Sequence, residues 1–300
     1  MAFNLSLVMK PLQIENIKNV VLAQFHRWFQ VYERPLNEKR YLNQLDILSE
    51  DIIIESAAGK SKGKLELKKR LNAFEGWLNA HHVKKTQIEI LENNLVALEA
   101  DLLYQNIRPD QSRYSYSLHY STILQIRKGE LPVFTIVKIT PTGNEDVKIF
   151  DDAYIENRAR SFMYYWCYCI ETSNGNSGLF RELLAEQFEL HLSASNVAGD
   201  LQKFDEWIAS NSSQIIYSAH YPKNFSAKEN EDKTISVIVD FDWQGLSVNN
   251  EAMNGETHHE WVLENNMDER FAKMKRMEIT QIKPFGIMKP LTKDGKLVEE

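Results

Sequence analysis

Histidine is the side chain best suited to exchange protons near neutral pH, and two of the eight histidines fall at matching places in strand-like segments. His119 and His259 lie 140 residues apart, each in the next-to-last strand of its half. Around His259 the alternation puts His259, Trp261 and Leu263 on one face and His258, Glu260 and Val262 on the other. If the Trp261 face lines a cavity, His259 enters it. Asp240 and Asp242 share a face of the neighbouring segment, where a carboxylate can tune an imidazole. The catalytic candidates are therefore His259, Asp240 and His119. His191 and His220 add to the polar inventory of the second half. The first half offers phenols, Tyr104 and Tyr116 on strands and Tyr32 near Trp28 on a helix. A buried phenol can orient or protonate a substrate oxygen. With Tyr164, Trp166, Trp243 and Trp261 these complete the candidate ligand-binding set, and the same aromatics serve equally well as core or pocket wall.

Other chemistry has little support. His81-His82 reads as a surface pair in a loop, and His258-His259 diverge on a strand and cannot chelate one ion together. There is no His-Glu-x-x-His, no phosphate-binding glycine loop and no Gly-x-Ser-x-Gly. The Lys60 to Arg70 charge run reads as a solvated helix start. No metal and no cofactor are expected. The two cysteines, Cys167 and Cys169, sit two apart in a helical pattern and face different sides, which excludes a disulfide framework and suits a reduced, cytoplasmic setting. Met1 to Lys10 lacks the basic leader and long apolar stretch of a signal peptide.

The composition sets the bounds. Three hundred residues with 43% hydrophobic and 26% charged side chains describe an ordinary globular chain of one or two domains. The formal charge of −7 disfavours a non-specific nucleic-acid binder, and no run is long enough to cross a membrane.

The chain looks duplicated. Leu71-x-x-Phe74-Glu75-x-Trp77-Leu78 reads against Leu201-x-x-Phe204-Asp205-x-Trp207-Ile208. Trp28 with Glu33 matches Trp166 with Glu171, Asp101 with Gln105 matches Asp240 with Gln244, and His119 with Ile139 matches His259 with Ile279. Each half then repeats one order of elements. A long helix (14–32, starting at Pro11, and 155–170) is followed by a short helix with a strand-like end (45–55 and 180–192). A loop at Gly59 to Lys64 leads to a third helix carrying Trp77, or Trp207 in the second half. Strands follow at about 86–92, 95–105, 113–127 and 131–140, and at about 213–221, 233–245, 255–265 and 270–283. Their length predicts a strongly bent sheet. The expected domains are 1–143 and 144–286, joined near Pro141 to Asp146, with a polar, mobile tail over 287–300.

Three places carry a family resemblance: the long first helix with its inward aromatic, Leu183-Leu-Ala-Glu-Gln-Phe-Glu-Leu-His191, and Glu256-Thr-His-His-Glu-Trp-Val-Leu263 leading to Phe271 to Ile279. Here the chain resembles the nuclear transport factor 2-like superfamily, in its SnoaL-like branch, as two tandem copies. The resemblance implies an α+β fold of two cone-shaped domains, each a curved antiparallel sheet wrapped on about three helices with a pocket at the open end. It also implies a pseudo-dimer within one chain, which itself stays a monomer or pairs as a homodimer. Relatives of this kind include isomerases, cyclases, scytalone-dehydratase-like lyases and non-catalytic binders. In the isomerase branch a carboxylate ends the first strand. The aligned positions here are Ser56 and Leu192, with Glu55 and His191 one residue earlier on the opposite face.

Two functions stay open on these residues. The chain binds a small, partly apolar molecule, either as a cofactor-independent lyase, isomerase or cyclase using histidine acid–base chemistry, or as a non-catalytic ligand-binding or interaction scaffold.

Overall fold

The computed structural model describes residues 6–288 except 36, 128, 194 and 195. Most of the expected tail, 289–300, lies outside the described residues, and Ile287 still belongs to a strand.

The first half starts with α1 (Ser6–Glu33), α2 (Glu38–Gln44) and a short 3-10 turn over Leu45–Ile47. β1 (Leu48–Ser56), β2 (Gly59–Lys62) and α3 (Glu66–Asn72) follow. Then come β3 (Leu78–Ile90), β4 (Leu95–Ile107), β5 (Arg113–Gln125) and β6 (Val133–Asn144). The second half repeats the series. It has α4 (Tyr154–Thr172), a 3-10 turn over Ser177–Glu182, β7 (Leu184–Ser193), β8 (Asn196–Ala198) and α5 (Leu201–Ser212). It ends with β9 (Ile215–Glu229), β10 (Ile235–Ser247), β11 (Ala252–Glu264) and β12 (Lys273–Ile287).

Each half builds one six-stranded sheet, ordered β2-β1-β6-β5-β4-β3 and β8-β7-β12-β11-β10-β9. The two orders are identical when six is added to each strand number. The fold is α+β, as expected, but the sheets are mixed. β1 runs parallel to β6 and β7 parallel to β12, while the other pairings are antiparallel. Register shifts interrupt most of the long ladders, bending strands of 12 to 15 residues.

Several element expectations change. α1 begins at Ser6 and carries Pro11 inside it, beyond the first turn, where the missing N–H removes one i→i−4 hydrogen bond. Gly59–Lys62 is a strand paired on β1 rather than a loop. α3 ends before Trp77, which precedes β3 directly, whereas Trp207 sits within α5. His81 and His82 lie on β3, not in a loop.

The chain forms two compact units. One contains Lys18–Tyr165 and Asn266–Ala272; the other contains the described residues up to Ile17, Trp166–Asn265 and those from Lys273 onward. In the unit of the first sheet, Phe25, Trp28 and Phe29 of α1 are fully buried with Phe134 and Tyr120 of the sheet. Burying each such ring is worth about 2–3 kcal/mol. In the unit of the second sheet Trp166 of α4 packs edge-on against Phe180 and beside Phe204 of α5.

Arg27 is also fully buried on α1. Its guanidinium donates to Asp46 at 2.6 Å, to Gln24 and to the Asn43 carbonyl. Arg270 reaches the other Asp46 oxygen at 2.7 Å. Burial pushes the Asp46 carboxyl up, but Arg27 and Arg270 outweigh it and hold the group below the usual carboxylate range. Among the described residues no helix is long and apolar enough to cross a membrane.

Candidate functional site

A histidine–glutamate pair stands at the end of the long helix in each unit. Glu33 is the last residue of α1, and its Oε1 accepts from the His81 backbone N–H at 2.8 Å and lies 3.2 Å from His81 Nδ1. Glu171, in the last turn of α4, does the same for His220, at 2.5 Å and 3.0 Å. A carboxylate at a helix C-terminus meets the unfavourable end of the helix dipole, so it needs donors. Asn157 supplies them to Glu33, with Nδ2 at 2.9 and 3.2 Å from its two oxygens. Asn16, with its amide in the donating orientation, lies 2.6 Å from Glu171 Oε2. Both carboxylates are buried, with no exposed side-chain surface. Each pair fixes a tautomer. Nδ1–H points to the carboxylate, and Nε2 makes no hydrogen bond among the described residues.

Each histidine lines a cavity. The first, of about 470 Å³, is bounded by Tyr32, Phe74, Trp77, His81, Tyr104 and Tyr116, with Ser56, Asn79, Asn106, Arg70 and Arg108 as polar groups. The second, of about 960 Å³, is bounded by Trp166, Trp207, Trp243, Phe285, His220 and His259, with Glu171, Asn211, Thr257 and Gln281 among its polar groups. Trp77 and Trp207 both line their cavities, each beside its matched phenylalanine, Phe74 or Phe204.

Strand register gives the correspondence between the two sites. Tyr104 pairs with His81 and Tyr116; Trp243 pairs with His220 and Gly255. The ring that Tyr116 supplies in the first cavity is replaced in the second by Phe285. It packs over Gly255, where a Cβ would stand 2.4 Å from the Phe285 ring.

Of the candidates read from sequence, Tyr32, Tyr104 and Tyr116 line the first cavity, and Trp166, His220, Trp243 and His259 the second. The others do not line either cavity. Trp28 and Trp261 are core side chains. Tyr164 stacks on His26, which bonds Asn157 at 2.8 Å. His191 sits on the outer face of β7 beside Glu189, because its neighbours Leu190 and Leu192 take the inner face.

His119 and Asp240 need the largest correction. His119 lies on the outer face, 2.8 Å from both Asp101 and Glu99. Asp240 bonds His258 at 2.6 Å, not His259. The repeat is therefore Asp101 with His119 and Asp240 with His258. His119 matches His258, and His259 matches Tyr120. A one-residue slip in alignment exchanges the faces of a strand. The acid–base assistance of His259 by Asp240 is thus excluded by geometry.

His259 does face the second cavity, with Nε2 3.0 Å from Thr257 Oγ1 and Nδ1 accepting from Trp261 Nε1 at 3.3 Å. Burial, reinforced by His220 and His258, lowers its pKa to about 3. It is a neutral hydrogen-bonding wall residue at physiological pH. Burial raises the Tyr32 phenol to about 12 and pushes Tyr104 higher still, so both stay protonated; Tyr104 donates to Asn79 at 2.7 Å.

The sequence reading passed over Glu33, Glu171 and His81. The repeat of Glu33 at Glu171 was the available signal. Placing His81 in a loop hid its partner. Ser56 and Leu192 do line their cavities, at the position that the isomerase branch gives to a carboxylate. Among the described residues, no group of three or more His, Cys, Asp or Glu side chains is placed to hold a metal ion.

Comparison with solved structures finds similarity over less than half of the chain. A candidate scytalone dehydratase from Novosphingobium aromaticivorans is 11% identical with a TM-score of 0.39, covering 48% of this chain and 96% of its own. A hexachlorocyclohexane dehydrochlorinase, LinA-type3 from Novosphingobium barchaimii, is 12% identical with a TM-score of 0.39, covering 47% and 96%. ActVI-ORFA from Streptomyces coelicolor is 12% identical with a TM-score of 0.34, covering 42% and 98%. Each of these proteins is similar to less than half of this chain. No protein-family model matches it, and no curated protein does.

Proposed function

We propose that each unit binds a small, partly apolar molecule in its cavity and moves a proton on it, as a cofactor-independent lyase, isomerase or cyclase. The single observation behind this reading is the buried glutamate engaging Nδ1 of the cavity histidine in both units. The carboxylate holds the tautomer in which Nε2 is the base. That nitrogen takes a proton from a C–H or O–H acid in the cavity, and the carboxylate stabilises the imidazolium that forms. The imidazolium returns the proton to a departing group or to a second carbon. This chemistry is redox-neutral.

A non-catalytic binder is the second reading. It draws on Ser56 and Leu192, neither of which is a carboxylate.

Deuterium exchange separates the two. Ketones and phenols that bind the full chain are followed by proton NMR in D2O. The catalytic reading expects exchange at an acidic C–H, lost in His220→Ala or His81→Ala while binding persists. Binding without exchange, or exchange unchanged in both variants, leaves the binder.

A further inference from the structure

The two cavities differ in charge. Arg70 of α3 and Arg108, just beyond β4, both line the first cavity. The second has no lysine or arginine among its lining residues, and Ser247 stands four residues after Trp243 as Arg108 stands four after its register match Tyr104.

Neither arginine has a carboxylate partner among the described residues. Arg70 donates through Nη2 to Ser56 Oγ, and its Nε is buried without an acceptor. Arg108 lies over two rings, 4.6 Å from the Trp77 centroid and 4.1 Å from that of Tyr114, and its Nε is likewise buried and unpaired. The nearby Asp110 carboxylate is committed to the Ser112 backbone N–H at 3.0 Å and hydroxyl at 2.6 Å. The phenols around them, Tyr32, Tyr104 and Tyr120, are held protonated by burial and bring no negative charge. Glu33 does not line the cavity, and its oxygens are occupied by His81 and Asn157.

Both arginines are half-buried, but their buried Nε–H groups without acceptors are costly, and an incoming anion can satisfy them. A planar guanidinium fits a carboxylate through two parallel hydrogen bonds. The walls beside it, Phe74, Trp77, Tyr104 and Tyr116, suit a flat aromatic ring. We infer that the first cavity takes an aromatic carboxylate, its carboxylate on Arg70 and Arg108 and its ring between the tyrosines and Trp77. The second cavity takes uncharged ligands. This assignment names the ligand class for the site proposed above, yet it concerns binding alone and stands whether or not His81 turns the ligand over.

Titration calorimetry of the full chain with 2-naphthoate and the uncharged 2-naphthamide tests it. The acid should bind at least about tenfold tighter than the amide, the difference expected of a charge-assisted pair. Arg70→Gln and Arg108→Gln should each remove most of that preference while leaving amide affinity within about threefold, which also reports that the variants fold. 2-Naphthalenesulfonate distinguishes a site for carboxylates from one for any oxyanion; binding as tight as the acid widens the class and overturns the carboxylate assignment. Equal binding of acid and amide, no binding of either, or equal loss of both in the arginine variants overturns the inference. His81→Ala should leave the acid preference intact and abolish only proton exchange, so the two readings fail separately.

Discussion

Tyr120 and His259 occupy one register position in the two sheets. Tyr120 pairs with Ala100 and Ile139, and His259 with Val239 and Ile279. Both are buried on the inner face, but only His259 can bind a proton between pH 3 and 7. Its folded pKa of about 3 lies well below the unfolded value of 6.5, and burial likewise lowers His26 to about 4. The unfolded chain therefore takes up more protons than the folded one as pH falls from 6.5 toward 4. Stability contributed by the neutral rings is complete above pH 6.5 and is lost on acidification, at about 1.4 kcal/mol per pH unit for each histidine. The urea midpoint should drop steeply between pH 6.5 and 4.5. His259→Phe should flatten that slope by about half; an unchanged slope refutes the assignment.

Arg27 and Asp46 test the buried charge beneath the first sheet. Asp46→Asn keeps the shape but leaves the fully buried Arg27 short of its anion. The expected loss is about 2–4 kcal/mol, toward the range for breaking a buried pair, because Gln24 and the Asn43 carbonyl remain as acceptors. Chemical denaturation at pH 7 measures it. A loss below about 0.5 kcal/mol, typical of an exposed pair, would show that solvent reaches the guanidinium.

The outer-face pairs should matter little. His119 with Asp101 and His258 with Asp240 sit on half-exposed surface, where ion pairs contribute about 0–1 kcal/mol. His119→Ala and Asp240→Asn should leave proton exchange and ligand affinity unchanged and shift stability by less than about 1 kcal/mol. A large loss of exchange in Asp240→Asn would restore that residue to the catalytic set.

How much of this was legible follows from period and from partners. The duplication and the α+β order were readable because Trp28/Trp166, Glu33/Glu171 and Asp101/Asp240 repeat in type at nearly constant spacing. The face of a strand residue depends on register to a single position. With two histidines adjacent at 258 and 259, spacing alone could not decide which one repeats His119. The Glu33–His81 pair joins a helix end to a strand 48 residues later, a contact that no local pattern encodes. Arg70 reads as part of a solvated charge run, since nothing local tells a cation turned into a cavity from one turned outward.

Asn157 and Asn16 give the most direct test of the paired sites. Asn157 holds both oxygens of Glu33 and also receives His26, while Asn16 reaches Glu171. Neither lines a cavity itself and each acts through lining residues, so each is a positioning residue. Asn157→Ala removes two hydrogen bonds to a buried carboxylate, costing about 2–4 kcal/mol of stability at 1–2 kcal/mol each. Glu33 then orients His81 less well, and kcat for a ligand of the first cavity should fall about tenfold with KM little changed. Asn157→Asp sets a second carboxylate against Glu33 and should cost more than the alanine variant. The corresponding Asn16→Ala should lower turnover of a ligand of the second cavity and spare the first. Steady-state kinetics on both ligands decides it. If Asn157→Ala slowed both ligands equally, global destabilisation rather than positioning would account for the effect, and melting temperature measured alongside separates the two.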